Sequence, residues 1–538
     1  MLEIRRLAFA ISAGRVAMNL ALVLTLAAPG HAQHSWQGCD DLKAGDFRKV
    51  SVLDKTNYPA LNEPIKMALS KDGRLFWIER DGSVKKWDPK TKAVAELAQI
   101  NVYLENTRGG MGLVLDPAFE SNGWVYIVYM PNKSPFGTFR LSRFTFVGEK
   151  LQDETTVLEI PFTPGAGQHA SGSMAWDNDG NLFWGAGDET SPANVGSYAV
   201  DGYAPIVNQE PKLDARRSAA NTNDLNGKIL RIHPEANGKY TIPEGNLFPV
   251  GTALTRPEIY SMGHRNPWTL WFDKPTGWLF VGEVGPDAGG ANGGKGPSAQ
   301  DELNVVKTPG NYGWPFMGGH NIPYNNYDYA ANKSGALFDP NALVNNSPNN
   351  TGLKNLPPAR PALLAYGHDG KSEDQTRFPI LGGANSGTAI GGPVYRYDPA
   401  LASKVKLPPQ FDNVWFFGDW MRNWWLAATL DSTASTVTAV KNPFPGISFS
   451  NVIAGAIGPE GALYLIEYGN AYFSSPSTQK ISRIEYTGSC LPAVTTTLAP
   501  AMHLAHHGPH LEVRLDQGRI LWVSPGQGAG FIDARGRR

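Results

Sequence analysis

The chain has 538 residues, 41% of them hydrophobic and 18% charged, with a formal net charge of -1. That length accommodates one large domain, or a large one with a small companion, and the charge balance provides neither a basic stripe for nucleic acid nor a polybasic patch for a membrane surface. With 59 glycines and 41 prolines, the composition favours many short strands joined by tight turns over a helical bundle.

Residues 1–32 read as a secretory signal. Arg5, Arg6 and Arg15 precede the apolar stretch 16–28, and Gly30-His31-Ala32 offers a small-residue cleavage site. The apolar run is shorter than the roughly 18 to 20 residues that a membrane span needs, so the mature protein is expected to be periplasmic or secreted, with no stable span. Two cysteines occur, Cys39 and Cys490, one near each end of the repetitive region. In an oxidising compartment such a pair most simply forms one disulfide that ties the entry of the domain to its exit.

From residue 70 onward the same phrase recurs six times: a polar turn ending in Gly or Asn, then an aromatic-rich apolar run. The instances are SKDGRLFWIERDG (Gly73), DPAFESNGWVYIVYM (Gly123), WDNDGNLFWGAGD (Gly180), FDKPTGWLFVGEVG (Gly277), PPQFDNVWFFGDW (Asn413) and GPEGALYLIEYG (Gly461). Further strand-like runs lie between them, among them FRLSRFTFV, GKILRIHP, GGPVYRYDP and QKISRIEYTG. This repetition predicts an all-β fold, a six-bladed β-propeller of four-stranded antiparallel blades, over residues 33–490. The two longest spacings carry insertions, at 191–221, 288–300 and the Asn-rich 320–351, which predict an elaborated binding face. NNSPNNTG within the last reads as flexible. Residues 491–538 are expected to be a linker and a short β-rich appendage, with His503, His506, His507 and His510 in solvated linker.

Two stretches concentrate chemistry. GQHASGSMAWDNDGNLFWGAGDET places His169 before one repeat and Asp188 at its end. If SMAWD and NLFWGAG pair as a hairpin, its open ends bring the two together, and a carboxylate bonded to one imidazole nitrogen makes the other a better base. Residues 259–314 supply His264, Arg265 and Asn266, a Gly285-Pro286 corner, and acids at Asp301 and Glu302, so that cation, carbonyls and carboxylates meet in one run.

GHRNP, EVGPDA, DELN and GNYGWP together resemble the glucose/sorbosone dehydrogenase family, soluble quinoproteins that use pyrroloquinoline quinone (PQQ) and calcium. The resemblance covers roughly residues 60–487 and points to the branch with a long insertion after the Gly-Pro corner. It implies an exported oxidoreductase that oxidises an aldose-type sugar at its anomeric carbon and passes electrons to a soluble acceptor such as a cytochrome or quinone. By the same resemblance His169 is the proton-abstracting base and Asp188 its orienting partner. Arg265 supplies positive charge beside the acceptor oxygen, and Asn266, Thr388 and Arg422 contact the cofactor with it. Calcium is implied at the Gly285 and Pro286 carbonyls, with further ligands from Glu302 and the Tyr312 carbonyl, which suits a hard cation.

The chain also departs from the family pattern. Met421 stands at the family's fifth-blade lysine with Arg422 one residue later, the sixth-blade arginine pair is missing from residues 444–461, and Trp268 replaces a substrate-facing glutamine. The quinone's three carboxylates therefore meet fewer cations. This leaves an alternative open: a non-quinone propeller acting as a glycan- or protein-binding module or a calcium-dependent hydrolase.

Overall fold

In the computed structural model the described residues are 42–488, apart from 106, 133–136, 163–168, 191–200 and 471–475, together with four strands between 503 and 532 followed by backbone alone. The signal stretch and both Cys39 and Cys490 lie outside them.

The six repeats become six blades: five are four-stranded antiparallel sheets, and in the third four strands are extended by two short ones, Tyr240–Thr241 and Gly310–Asn311, the latter paired parallel. The innermost strands are Pro64–Leu69, Gly110–Leu115, Met174–Trp176, Pro267–Asp273, Ala389–Val394 and Val452–Ile457. Each touches the next, and the last touches the first, so they form a closed ring. The sixth blade takes its outermost strand, Phe47–Asp54, from the start of the domain, paired antiparallel with Lys480–Tyr486. The backbone N–H groups of Thr487 and Gly488 both donate to the Asp46 carbonyl, at 2.8 and 3.2 Å. Entry and exit of the propeller are thus joined by a ladder, which removes the free edges that an open sheet would present.

The repeated turns explain the pattern. Gly73, Gly123, Gly180, Gly277, Asn413 and Gly461 each join an innermost strand to the second strand of its blade, and all six have positive φ, between 64° and 86°. Glycine adopts that conformation without steric cost and asparagine tolerates it. Blades also meet through glycine: a Cβ on Gly112 would lie 1.8 Å from the Gly172 carbonyl oxygen. Elsewhere aromatic side chains fill the wedges between blades, with Trp77, Trp184, Trp415 and Trp425 fully buried.

Two sequence expectations change. The Asn-rich stretch is packed: Asn345 is fully buried and donates to the Arg216 and Ala220 carbonyls at 2.8 and 3.1 Å, while Ser347 donates to Asp214. Short amide side chains satisfy backbone groups as readily as they face water, which locks this insertion onto that of the third blade. Beyond the propeller, His503–His507, His510–Leu515, Arg519–Ser524 and Gly528–Ile532 form their own four-stranded antiparallel sheet. The histidine-rich stretch is therefore strand, where a linker was expected. Among the described residues no helix is long and apolar enough to cross a membrane.

Candidate active site

The turns with positive φ mark one end of the ring. At the other end each innermost strand begins and each second strand finishes, and there the chemistry collects. His169 precedes Met174–Trp176 and Asp188 follows Leu182–Ala186; Arg265 and Asn266 precede Pro267–Asp273, and Gly285 and Pro286 follow Trp278–Glu283. Thr388 precedes Ala389–Val394, and Arg422 follows Trp415–Asp419.

The hairpin forms as expected, with Met174 opposite Trp184, and beyond its open end His169 Nδ1 lies 2.6 Å from Asp188 Oδ1. Both side chains are buried. His169 has φ 56°, and Gly187 passes so close beneath it that a Cβ would stand 1.7 Å from the His169 carbonyl oxygen. Burial pushes the imidazole pKa below its ordinary value, the nearby Arg265 charge acts the same way, and Asp188 pulls back without overcoming them. The ring is therefore neutral near pH 7. With Nδ1–H donated to Asp188, the lone pair rests on Nε2. Burial acts to raise the Asp188 carboxyl, yet His169, Arg265 and the Thr190 backbone N–H outweigh it and hold the group below the usual carboxylate value.

Asp188 has further donors that the sequence did not disclose. The Trp314 indole Nε1 donates to Oδ2 at 2.7 Å, and Thr190 donates from its backbone N–H and its hydroxyl, each at 3.0 Å to Oδ1. The Trp314 ring also carries the Arg265 guanidinium over its face, 5.9 Å from the centroid. One indole thus links base partner and cation. Trp314 stands in GNYGWP, so its motif was visible, but its partner lies 126 residues away.

Arg265 Nη1 donates to the Val284 carbonyl at 3.1 Å, and its nearest carboxylate is the mostly exposed Asp287 at 4.0 Å. Other cations at this face are engaged more tightly: Arg80 pairs with Glu63 at 3.0 Å and Arg108 with Glu105 at 2.8 Å. Asn266 Oδ1 accepts from the Ser171 hydroxyl at 3.0 Å. His264, next in sequence, is a strut rather than a member of the site. It is fully buried, with Nδ1 2.7 Å from Glu283 Oε2 and Nε2 2.8 Å from the Ser261 hydroxyl.

At the Gly285-Pro286 corner, the Gly285 N–H donates to Asp301 Oδ1 at 3.2 Å, and a Cβ on Gly285 would fall 1.8 Å from the Gln300 carbonyl oxygen. Among the described residues neither the Gly285 nor the Pro286 carbonyl accepts a hydrogen bond, which leaves both oxygens for a hard cation. Asp301 is fully buried, 2.9 Å from His368 Nε2, and it also accepts from the Ala389 N–H at 3.2 Å. Thr388 donates its hydroxyl to the Gly387 carbonyl and its N–H to Asp419. Burial, reinforced by Asp301, pushes Asp419 up to about 6.

Arg422 is drawn into this second network and away from the first. Its guanidinium donates to the carbonyls of Leu381 (2.8 Å), Gly383 (3.2 Å), Gly367 (3.1 Å) and Asn385 (2.8 Å) and lies over Tyr366. It clamps the loop 367–385.

Glu302 accepts from the Gly319 N–H at 2.6 Å and from Asn304 Nδ2 at 3.1 Å; Asn304 also reaches Glu283 at 3.3 Å. Burial and the adjacent Glu283 push Glu302 up to about 8, so that it keeps its proton near pH 7 unless a cation takes the proton's place. The Tyr312 side chain turns elsewhere, its hydroxyl on the Val305 carbonyl and its ring stacked on His264. Among the described residues no three His, Cys, Asp or Glu side chains converge as metal ligands.

Residues 61–354 match the family described as glucose/sorbosone dehydrogenase. The uncharacterized protein slr1608 of Synechocystis is 29% identical over 281 residues, covering 51% of this chain and 60% of its own length. Quinoprotein glucose dehydrogenase B of Acinetobacter calcoaceticus is 26% identical over 311 residues, covering 54% of this chain and 58% of its own. The match thus spans under two thirds of either relative. Among solved structures, a putative oxidoreductase (glucose dehydrogenase) from Thermus thermophilus superimposes with a TM-score of 0.53 at 22% identity, over 81% of this chain and 99% of that one, a likeness of fold.

Proposed function

Because the chain belongs to the glucose/sorbosone dehydrogenase family, we propose that it is an exported quinoprotein that oxidises an aldose-type sugar at its anomeric carbon with PQQ and calcium. The observation that carries this reading is the His169–Asp188 pair, 2.6 Å apart and buried, with a neutral imidazole whose Nε2 is available as a base. A binding module would not need that pairing.

In this reading His169 Nε2 takes the proton of the anomeric hydroxyl, and Asp188, held by Trp314 and Thr190, fixes the tautomer and stabilises the imidazolium that forms. PQQ, if held here, would supply the acceptor for the hydride that leaves C1. Arg265 would stabilise negative charge on that acceptor, in a buried setting where such charge stabilisation is strongest. The residues present fit the two groups in part. Arg265 offers a guanidinium without a close carboxylate, Asn266 and Thr388 border the same face, and the unengaged Gly285 and Pro286 carbonyls suit calcium. Glu302, with the Tyr312 carbonyl, is the proposed second calcium position. A soluble cytochrome or quinone would be the acceptor that completes the turnover.

One observation favours the second reading, a non-quinone propeller that binds glycan or protein or hydrolyses with calcium. The Arg422 guanidinium, needed to meet a cofactor carboxylate, is already committed to four loop carbonyls. Reconstituting the purified protein with PQQ and calcium and following dye reduction over a panel of sugars separates the two. Sugar-dependent reduction supports the dehydrogenase; its absence with quinone bound, or no quinone binding, overturns it.

A further inference from the structure

A buried lysine that the chemistry above does not use stands on the axis of the ring. Lys66 is the third residue of the first blade's innermost strand and is buried. Its Nζ donates to the Trp268 carbonyl at 2.9 Å and lies 4.4 Å from the centroid of the Trp268 ring. Trp268 belongs to the fourth blade, opposite the first, and its indole N–H donates to the Ile453 carbonyl of the sixth at 3.2 Å. These contacts cross the ring two residues below Asn266, about 7 Å along a strand.

Lys66 also lines a cavity of about 410 Å³ that continues down the channel to Lys71 and Lys274 at the opposite face. Met67, Leu113, Met174 and Leu270 give it largely apolar walls. The hydroxyls that line it are already engaged: Ser173 accepts from the Leu270 N–H, Thr269 accepts from the Gly391 N–H, and Ser70, near the mouth, donates to Asp72 and to the Arg74 carbonyl. Lys66 is thus the charged group at the inner end of the cavity, while Lys71, Lys274, Asp116 and Glu120 line its mouth at the opposite face. An ammonium has three donors, but Lys66 meets one protein acceptor, and burial is the sole cause of the fall in its pKa to about 7. Among the described residues no carboxylate pairs with it, so the charge is unbalanced where charge is least well solvated.

We propose that this cavity is a second binding site, opening on the face opposite the candidate active site, and that it takes a small monocarboxylate with an apolar body, the carboxylate on Lys66 and the body along the channel. The volume falls within the range of small-ligand pockets. A carboxylate restores the missing charge partner, while an apolar body matches the walls.

The test is calorimetric titration at pH 7 with hexanoate and, separately, hexan-1-ol, which has the same body without the charge. Hexanoate is expected to bind the wild type and hexan-1-ol at least roughly tenfold more weakly, the scale of one charge-assisted hydrogen bond. K66M and K66Q are both expected to lose hexanoate affinity by a similar factor; K66Q keeps a polar group for the Trp268 carbonyl in case the fully apolar variant folds poorly. R265Q, at the other face, is expected to bind hexanoate as the wild type does, which separates this site from the sugar-oxidising one. No hexanoate binding to the wild type, equal binding of the alcohol, unchanged binding in both Lys66 variants, or loss of binding in R265Q would each overturn the proposal.

Discussion

Replacing Lys66 by Met should stabilise the protein, and by an amount that depends on pH in a defined direction. Burial holds the folded-state amine near 7, against 10.5 for an exposed lysine. Between these values the unfolded chain binds the proton and the folded chain does not, so protonation favours unfolding. The penalty is complete below pH 7 and disappears as pH rises toward 10.5. At about 1.4 kcal/mol for each pH unit of separation, it is about 5 kcal/mol at low pH, about 4 at pH 7 and about 1 at pH 10. Methionine fills nearly the same space without a charge. It loses the hydrogen bond to the Trp268 carbonyl and the contact with the indole face, worth about 1 to 2 kcal/mol together. The net gain at pH 7 is therefore about 2 to 3 kcal/mol, shrinking to nothing or a slight loss by pH 10. Thermal unfolding of both proteins from pH 7 to 10 measures it. A difference that stays constant with pH, or a variant less stable than the wild type throughout, would refute the reasoning.

Three further outcomes follow from the site. Because burial lowers the His169 pKa and the base works neutral, the acid limb of kcat against pH for the quinone-loaded protein should fall below the ordinary imidazole value of about 6.5; a limb above that value would contradict the burial argument. Trp314→Phe removes the indole N–H from Asp188 Oδ2 and should cost about tenfold or more in kcat, at roughly 1.5 to 3 kcal/mol for a hydrogen bond to a charged group, with little change in KM; equal losses in both would point to a packing role instead. Calcium-loaded protein should bind PQQ on the order of a hundredfold more weakly than relatives with the lysine and arginine pair, since two charge-assisted bonds are missing, and affinity equal to theirs, read by calorimetry, would mean that other cations replace them.

The fold was legible because each blade writes the same local instruction, a residue tolerant of positive φ followed by an apolar second strand, at Gly73 as at Asn413. His169 and Asp188 were legible for a related reason: a single hairpin joins them, so local geometry sufficed. Contacts between distant segments were not. Trp314 meets Asp188 across 126 residues and His368 meets Asp301 across 67, and no local pattern encodes either pairing. The same limit hid Arg422's role, because the four carbonyls that hold it belong to a loop whose path depends on the fourth blade. Asn345 misled in the opposite sense: a run of polar residues reads as solvated until the backbone groups that it satisfies are brought to it.

The most direct test of His169 as the base is a single turnover. Wild-type protein and H169Q, each loaded with PQQ and calcium without oxygen, are mixed with an aldose while the quinone absorbance is followed. The account predicts that both bind the quinone, that the wild type loses its oxidised-quinone absorbance on adding sugar, and that H169Q does so at least a hundredfold more slowly, the usual scale of general-base catalysis. Equal rates in the two proteins would contradict it.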